Sequence, residues 1–490
     1  MTNFEKLEKE LTRYRAFVAA LTLFSYDSDT YAPEQSFDMT MPFVKTLSEE
    51  AFNILNSDYM KALVNVCLQE PLSELELKIV KEVAKSHEQL SCFTKEEYSY
   101  FQTLLRKSQV VWTKAKQEND FEAFAPYLKE IIEITKESAR KRQKEGQTLY
   151  DVLLNEYEEG MSEKEYDEFF ALVKEKVVPV IDHLKNTTRP EILSLAYDIE
   201  KQKEFNNWLA DYIGFDLSRG KISETEHPYT TSLHNHDVRF TNHYHEHRID
   251  SAIFSTAHEG GHGLYEQQVS DELTLTHIGH AISSGMHESQ SRFMENCVGR
   301  SPEFWVNVYP KLQETFPEQL KDVSCEQWVK AINVASPSLI RIEADELTYP
   351  LHIMVRYELE KEIINGEVDV MELPQKWNDL YKEYLGVDVP NDSKGILQDV
   401  HWSGGMFGYF PTYALGSAIA SQIYAYLKHE INIQSVLKEG KLDVVCAWLK
   451  ENIHQYGGTK HTQEILMDSV KETFNPNYYV DYLQEKFGGQ

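Results

Sequence analysis

The residues from His258 to His262 have the types and the spacing of a catalytic metal site. They form an H-E-x-x-H motif within a stretch whose apolar residues recur with helical spacing. Residues four apart on a helix lie on one face, about 6 Å apart along the axis, so both imidazoles can bind one zinc ion at about 2 Å per bond. Glu259 projects beside that pair, where it can serve as general base toward a water molecule. The motif therefore predicts a hydrolytic metal centre.

A catalytic zinc site needs a third protein ligand and keeps a further position open. Glu266 continues the same helix face, but it lies about 12 Å along the axis from His258 and cannot complete the site. The third ligand must come from another segment, and Glu288, at the start of a following predicted helix, is favoured. Four other residues remain open as alternatives: His277, His280, His287 and Glu295.

The helix that carries the motif must itself be held in place. Asp250 or Ser251 is its predicted N-cap, and the helix is predicted to run through Glu266. Gly260 and Gly261 together cost a helix roughly 2 kcal/mol relative to alanine. This cost indicates that another part of the chain packs closely against the helix backbone there.

The elements around this helix are predicted to make a mainly α protein. Residues 1–215 show successive amphipathic helices, and helical spacing resumes from Asp250 almost to the C-terminus. Between them, Tyr229–Leu233 and Val238–Tyr244 are predicted as the strands of a small β-hairpin or sheet beside the metal site. Because no long Pro/Gly/Ser linker occurs, we expect one two-lobed domain over residues 1–490, with a scaffold lobe at 1–215 and a catalytic lobe at 216–490.

Composition excludes several functional classes. Hydrophobic residues make up 41% of the chain and aromatic residues 12%, which is typical of a globular protein. The 79 acidic and 49 basic residues give a net charge of -30, so nucleic acids and anionic membranes are not expected partners. The apolar run Ala16–Phe24 is too short to span a membrane and lacks a signal-peptide cleavage site. The 5 cysteines are far apart without a C-x-x-C pair, so free thiols and a cytoplasmic location are predicted.

With four further motifs, the H-E-x-x-H segment resembles the M32 metallocarboxypeptidases, the thermostable carboxypeptidase Taq group. In the order of the family, the motifs are D-x-R-x-T at 237–241, H-E-x-x-H at 258–262, H-E-S-Q-S at 287–291, I-R-x-x-A-D at 340–345 and G-x-x-Q-D-x-H-W at 395–402. The family-like segment Gly408–Tyr413 extends the resemblance. Residues 1–215 resemble the family only in their helical character.

The resemblance implies a mostly helical, saddle-like subunit with a deep active-site groove, a zinc or cobalt ion, and a homodimer. It also implies hydrolysis of the C-terminal bond of peptides with broad specificity. Carried over residue by residue, it makes His258, His262 and Glu288 the metal ligands and Glu259 the general base.

A carboxypeptidase must recognise the free carboxylate of its substrate, for which a guanidinium group is well suited. Arg341 and Arg239 lie in the family motifs and are the two candidates for this role. The alternative for each is an ion pair with a neighbouring carboxylate, such as Asp345 for Arg341 and Asp237 for Arg239. The resemblance associates the D-x-R-x-T segment with closure of one end of the groove, so Arg239 is also a candidate for limiting substrate length.

Peptide hydrolysis builds negative charge on the tetrahedral oxygen, and one hydrogen-bond donor aimed at it is worth about 3 to 4 kcal/mol. Tyr409, Tyr413 and His401 are the candidate donors, and the sequence does not rank them.

Two other functions compete with a carboxypeptidase. An endo-acting zinc oligopeptidase shares the H-E-x-x-H motif and a helical groove, but it has no need of Arg341 and Arg239 in their motifs. A non-catalytic interaction protein with a structural metal would need four protein ligands, usually including cysteine. Only Cys297 lies near the motif segments in sequence, which disfavours a structural metal site. The presence of Arg341 and Arg239 in their motifs favours a carboxypeptidase over an oligopeptidase.

Overall fold

The computed structural model describes residues 1–181, 184 and 188–488. Within these ranges the chain is mainly helical, with one three-stranded sheet, which confirms the predicted fold class. The chain divides into two compact units, and each combines segments from both sides of residue 215. The single-domain assignment and its lobe boundary stay a prediction.

The first unit comprises Met1–Thr94, Asp198–Ile282 and Leu442–His461. It contains the sheet and seven α-helices: α1 Asn3–Thr30, α2 Phe37–Leu55, α3 Asp58–Cys67, α4 Glu74–Ser91, α9 Ile199–Tyr212, α10 Ile249–Gln268 and α19 Leu442–Asn452.

The second unit comprises the described residues of Lys95–Tyr197, Ser283–Lys441 and Thr462–Gln490. Its helices are α5 Lys95–Glu118, α6 Phe121–Arg142, α7 Leu149–Tyr157, α8 Glu163–Ile181, α11 Ser284–Arg292, α12 Pro302–Thr315, α13 Pro317–Leu320, α14 Cys325–Ile332, α15 Tyr349–Asn365, α16 Leu373–Leu385, α17 Pro411–Glu430, α18 Ile433–Lys438, α20 Thr462–Val470 and α21 Asn477–Phe487. A π-helical turn, Phe293–Val298, directly follows α11.

The sheet of the first unit has the strand order β1-β3-β2, with β1 Gly220–Glu224, β2 Thr230–His234 and β3 Asp237–Asn242. β2 and β3 form the predicted antiparallel hairpin, whereas β1, which pairs in parallel with β3, was not predicted. The pattern missed β1 because Ile222 is its one apolar residue, and this side chain packs against a buried cluster that includes Phe215 and Phe240.

The second predicted strand ends two residues too late. β3 stops at Asn242, whose side-chain amide donates to the Ala252 carbonyl and to the Thr256 hydroxyl of α10. These buried hydrogen bonds turn the chain from the sheet into the helix. α10 accordingly begins at Ile249, just before the predicted caps, with Asp250 in its first turn.

Glycines let α10 pack closely within the first unit, as the sequence predicted for Gly260. A Cβ at Gly260 would lie 2.5 Å from Cδ1 of Ile213, and one at Gly263 would lie 2.6 Å from the Phe215 ring. These contacts fix the helix against the segment that leads into the sheet.

In the second unit, α11 is fixed at its start and along its side. Ser283 is its N-cap and accepts from the Met286 amide, while the Gly285 amide donates to the buried Glu158 carboxylate. Helix α17 packs against α11 at Gly416, where a Cβ would lie 2.6 Å from Cβ of Glu288. The glycine therefore sets how near the two helices can come.

Among the described residues, no helix combines the length and the apolar character that crossing a bilayer requires.

We expect Gly416→Ala to lower the free energy of unfolding by about 1 to 3 kcal/mol, because the added methyl group overpacks the contact between α17 and α11. The loss should appear although alanine is favoured over glycine in a helix by about 1 kcal/mol. Urea denaturation measures it. Ser421→Ala, on the same helix, removes a hydroxyl bonded to the carbonyl of Ser417 and is the control, with an expected change within about 1 kcal/mol. Equal or increased stability of Gly416→Ala would contradict the close packing.

Candidate metal centre and active site

Three predicted ligands come together in the structure. His258 and His262 lie one turn apart on α10, with ring centroids 5.0 Å apart. With Glu288 they offer one ligand atom each, and these atoms lie within 4.8 Å of one another. Two imidazole nitrogens and one carboxylate oxygen form a donor set that suits a divalent metal such as zinc. The residues present therefore fit the predicted metal.

The alternatives for the third ligand have other surroundings. His277 Nε2 lies 3.1 Å from the Ser86 hydroxyl, and burial lowers the pKa of His277 to about 4. His280 Nδ1 lies 2.7 Å from the carbonyl of Ala281. Glu295 is paired with two arginines, and His287 precedes Glu288 on α11 without belonging to the three-residue group.

Glu259, the predicted general base, is held by the neighbouring sheet. Its side chain is buried, and the hydroxyl of Thr230 on β2 lies 2.6 Å from Oε2 and 3.0 Å from the backbone carbonyl of the same residue. Two residues along the strand, Ser232 makes a similar bond to Glu266, with 2.9 Å between Oγ and Oε2. The sequence motif did not reveal these hydroxyl partners because they come from a strand 29 or more residues away.

Glu288 is buried among partners from its own helix. Arg292 Nε donates to Oε1 at 2.7 Å, and the Ser291 hydroxyl lies 3.1 Å from Oε2. Arg292 was not identified from sequence, although its position four residues after Glu288 is the spacing of a helical ion pair. Gly416, which makes room for Glu288, was not identified either because the contact is formed by a distant helix.

Arg239 is engaged by its motif neighbour. Its Nε and Nη2 donate to the two carboxylate oxygens of Asp237 at 2.7 and 2.8 Å. The guanidinium also lies over the ring of Tyr26, 5.0 Å from its centroid. The ion pair predicted as an alternative to substrate binding is therefore present, and the charge of Arg239 is balanced one to one.

Arg341 is buried, and its ion pair differs from the predicted one. Its Nε and Nη2 each lie 3.0 Å from Oδ1 of Asp399, and Nη1 donates to the Tyr349 hydroxyl at 3.1 Å. The predicted partner, Asp345, instead accepts hydrogen bonds from nearby backbone amides and from the Thr348 hydroxyl. The ion pair considered as an alternative to substrate binding is therefore present, but its partner is Asp399, 58 residues away, and not the suggested Asp345.

Asp399 is shared between two buried guanidinium groups. Arg356 Nε donates to its other oxygen, Oδ2, at 2.7 Å, and Arg356 Nη2 lies 2.5 Å from the same oxygen in an ion pair. Burial alone would raise the pKa of Asp399, but Arg341 and Arg356 hold it well below its usual range. Two positive charges therefore share one negative charge, which leaves the cluster suited to accept a further anion.

His401, Tyr413 and Tyr409 form a chain of polar groups. His401 Nε2 lies 3.1 Å from the Tyr413 hydroxyl, and the ring of Tyr413 packs edge to face with that of Tyr409, with centroids 5.1 Å apart. Burial, and next the charge of Arg341, lowers the pKa of His401 to about 3, so the imidazole is neutral at pH 7. Burial and nearby Glu288 raise the pKa of Tyr409 to about 12, so this phenol keeps its proton. The structure thus brings the three predicted oxyanion candidates together.

A buried carboxyl group that the sequence did not indicate holds the loop before Tyr409. Glu360 accepts hydrogen bonds from the Tyr150 hydroxyl, the Trp402 indole and the Gly408 amide at 2.7 to 2.8 Å. Burial raises the pKa of Glu360 to about 7, although its donors and Arg356 oppose the rise.

Comparisons with known proteins agree on one family. The model of the carboxypeptidase Taq (M32) metallopeptidase family matches residues 6–487. Carboxypeptidase 1 of Bacillus subtilis is 39% identical over 483 residues, covering 97% of this chain and 96% of that protein. Thermostable carboxypeptidase 1 of Pyrococcus furiosus is 32% identical, with 99% and 98% covered. The crystal structure of an M32 carboxypeptidase from Deinococcus radiodurans aligns with a TM-score of 0.95 at 30% identity, over 100% of this chain and 99% of that one.

The raised pKa of Glu360 predicts a pH-dependent contribution to stability. Between about pH 4.5 and 7 the folded protein keeps a proton on Glu360 that the unfolded chain releases. The stabilisation by this group is therefore complete below about pH 4.5 and is lost as the pH rises through about 7, at about 1.4 kcal/mol per unit of pKa difference. Urea denaturation of the wild type and Glu360→Gln from pH 4.5 to 8 measures it. The stability difference between wild type and variant should shrink with rising pH, and a constant difference would contradict the raised pKa.

Proposed function

Because the chain belongs to the carboxypeptidase Taq (M32) metallopeptidase family, as its motifs predicted, and is therefore a metallocarboxypeptidase, we propose that it hydrolyses the C-terminal bond of peptides at a zinc ion. We assign His258, His262 and Glu288 as the ligands of that ion. The observation that carries this assignment is the convergence of their three ligand atoms within 4.8 Å. Cobalt is an alternative metal because nitrogen and oxygen donors accept several divalent ions.

A bound zinc ion would polarise the scissile carbonyl and make a water molecule more acidic. Glu259 would take the proton of the attacking water and pass it to the leaving amine. Its hydrogen bond to Thr230 restrains the carboxylate and so supports both transfers. The general base therefore keeps one position throughout the reaction.

We assign Tyr409 as the donor to the oxygen that becomes negative, with Tyr413 and His401 behind it. With its proton on Nε2, neutral His401 would donate to Tyr413, and the proton of Tyr413 would then be directed to the adjacent Tyr409. This order leaves the proton of Tyr409 for the substrate. His401 Nδ1, the other ring nitrogen, is buried with no hydrogen-bond partner among the described residues, which agrees with this tautomer.

We assign Arg341 rather than Arg239 to the terminal carboxylate of the substrate. Arg239 is neutralised by Asp237, whereas Arg341 and Arg356 share Asp399 and keep one positive charge in excess. A carboxylate would balance that charge. Arg239 is then left with the role of limiting substrate length that the family resemblance suggests.

We further propose a single 490-residue peptidase domain, a homodimer and a cytoplasmic location. The dimer rests on the resemblance alone. The location is supported by the 5 cysteines, all free thiols in the structure, as expected in a reducing compartment.

The proposed function predicts that a peptide with a free C-terminus is shortened one residue at a time while its C-terminally amidated twin survives. Glu259→Gln should lower the rate roughly 10²- to 10⁴-fold and retain about one zinc per chain. Mass spectrometry of timed digests and metal analysis measure both. Glu266→Gln is the control. Glu266 is also a buried glutamate of α10 that accepts a hydrogen bond from a hydroxyl of β2, and this variant should stay active. Internal cleavage of the amide would favour an oligopeptidase, and an active Glu259→Gln would exclude Glu259 as the base.

Matched substitutions test which of Arg341 and Arg239 binds the terminal carboxylate of the substrate. Arg341→Met should lower kcat/KM for a free-acid peptide roughly 100-fold, since a buried partner for the carboxylate is lost. Asp399 keeps its ion pair with Arg356 in this variant, so the buried carboxylate is not left without a positive partner. Arg239→Met should change kcat/KM for the same free-acid peptide much less. A larger loss for Arg239→Met would reverse the assignment.

A further inference from the structure

Arg292 connects two carboxylates and an aromatic ring at the end of α11. Its Nε donates to Glu288 Oε1 at 2.7 Å, and its Nη1 donates to Glu295 Oε2 at 3.1 Å. The guanidinium carbon lies 4.1 Å from the ring centroid of Tyr349. Three sides of one planar group are thus engaged at once.

The surroundings of Arg292 exclude most water. The exposed fractions of the side chains of Arg292, Glu288 and Glu295 are 13%, 5% and 12%. A buried carboxylate without a positive partner is costly, and two carboxylates near one another repel. The planar guanidinium of Arg292 reduces both the cost of burying Glu288 and its repulsion with Glu295. A lysine ammonium, which is a point charge, would do so only in part.

We infer that Arg292 is a positioning residue that sets the orientation of the Glu288 carboxylate for metal binding. Arg292 engages Oε1, the Ser291 hydroxyl lies near Oε2, and Gly416 confines the base of the side chain. A carboxylate restrained in this way loses less conformational freedom when it binds a metal. Arg292 therefore raises metal affinity without touching the metal. This inference rests on the proposed function, because it takes Glu288 as a ligand.

Zinc dissociation constants of the full-length protein, measured by competition with a chromophoric chelator, test this inference. Arg292→Gln should bind zinc 10- to 100-fold more weakly than wild type. Arg292→Lys should fall between the two. Arg300→Gln is the matched control, because Arg300 also pairs with Glu295 at 3.4 Å while Glu288 keeps Arg292. Its zinc affinity should equal that of wild type.

Two further measurements separate the possible failures. Circular dichroism and urea denaturation of the metal-stripped variants report folding, and if Arg292→Gln does not fold, Arg292→Lys decides. Wild-type zinc affinity in a folded Arg292 variant, or equal weakening in Arg300→Gln, overturns the positioning role. Glu288→Gln tests the premise that Glu288 is a ligand. If this variant binds zinc as tightly as wild type, the ligand assignment itself is excluded. If it binds zinc weakly while the Arg292 variants bind it normally, only the positioning role of Arg292 is excluded.

Discussion

Buried carboxylates impose the constraint on which this active site depends. Glu259, Glu288, Glu360 and Asp399 are largely removed from water, so each needs donors that the protein must supply. The donors differ with the task of each group. Glu259 has a neutral hydroxyl, Glu288 has a guanidinium on its own helix, Asp399 has two guanidiniums, and Glu360 has three neutral donors.

This choice of donors sets the charge of each group. The Thr230 hydroxyl is a neutral donor that restrains Glu259, which suits the proposed role of general base. Two arginines keep Asp399 ionised and still leave a positive charge for an anionic ligand. Glu360 accepts hydrogen bonds from three neutral donors, has a pKa that burial raises to about 7, and anchors the backbone at Gly408. Similar side chains thus acquire different roles from their hydrogen-bond partners.

The sequence predicted what depends on local spacing. Helical periodicity and the four-residue interval placed His258 and His262 on one face, and the hairpin was found within one or two residues. Glu288 was only a favoured candidate until the resemblance to the family was used. Partners distant in sequence were missed: Arg341 pairs with Asp399 and not with the suggested Asp345, and the Thr230 hydroxyl restrains Glu259. Periodicity describes one element at a time and carries no information on which elements meet.

The arginine cluster also explains why the neighbouring histidine can serve as a neutral donor. Exposed to water, His401 would gain a proton near its ordinary pKa, but burial and the charge of Arg341 prevent this down to about pH 3. A protonated His401 would add a positive charge beside two arginines that already share one carboxylate, which is unfavourable in a buried site. Burial first, and then the excess charge that suits the cluster to an anion, therefore keep the imidazole neutral. The proposed recognition of substrate by Arg341 and the proposed hydrogen-bond order from His401 to Tyr409 are thus both consistent with one charge distribution.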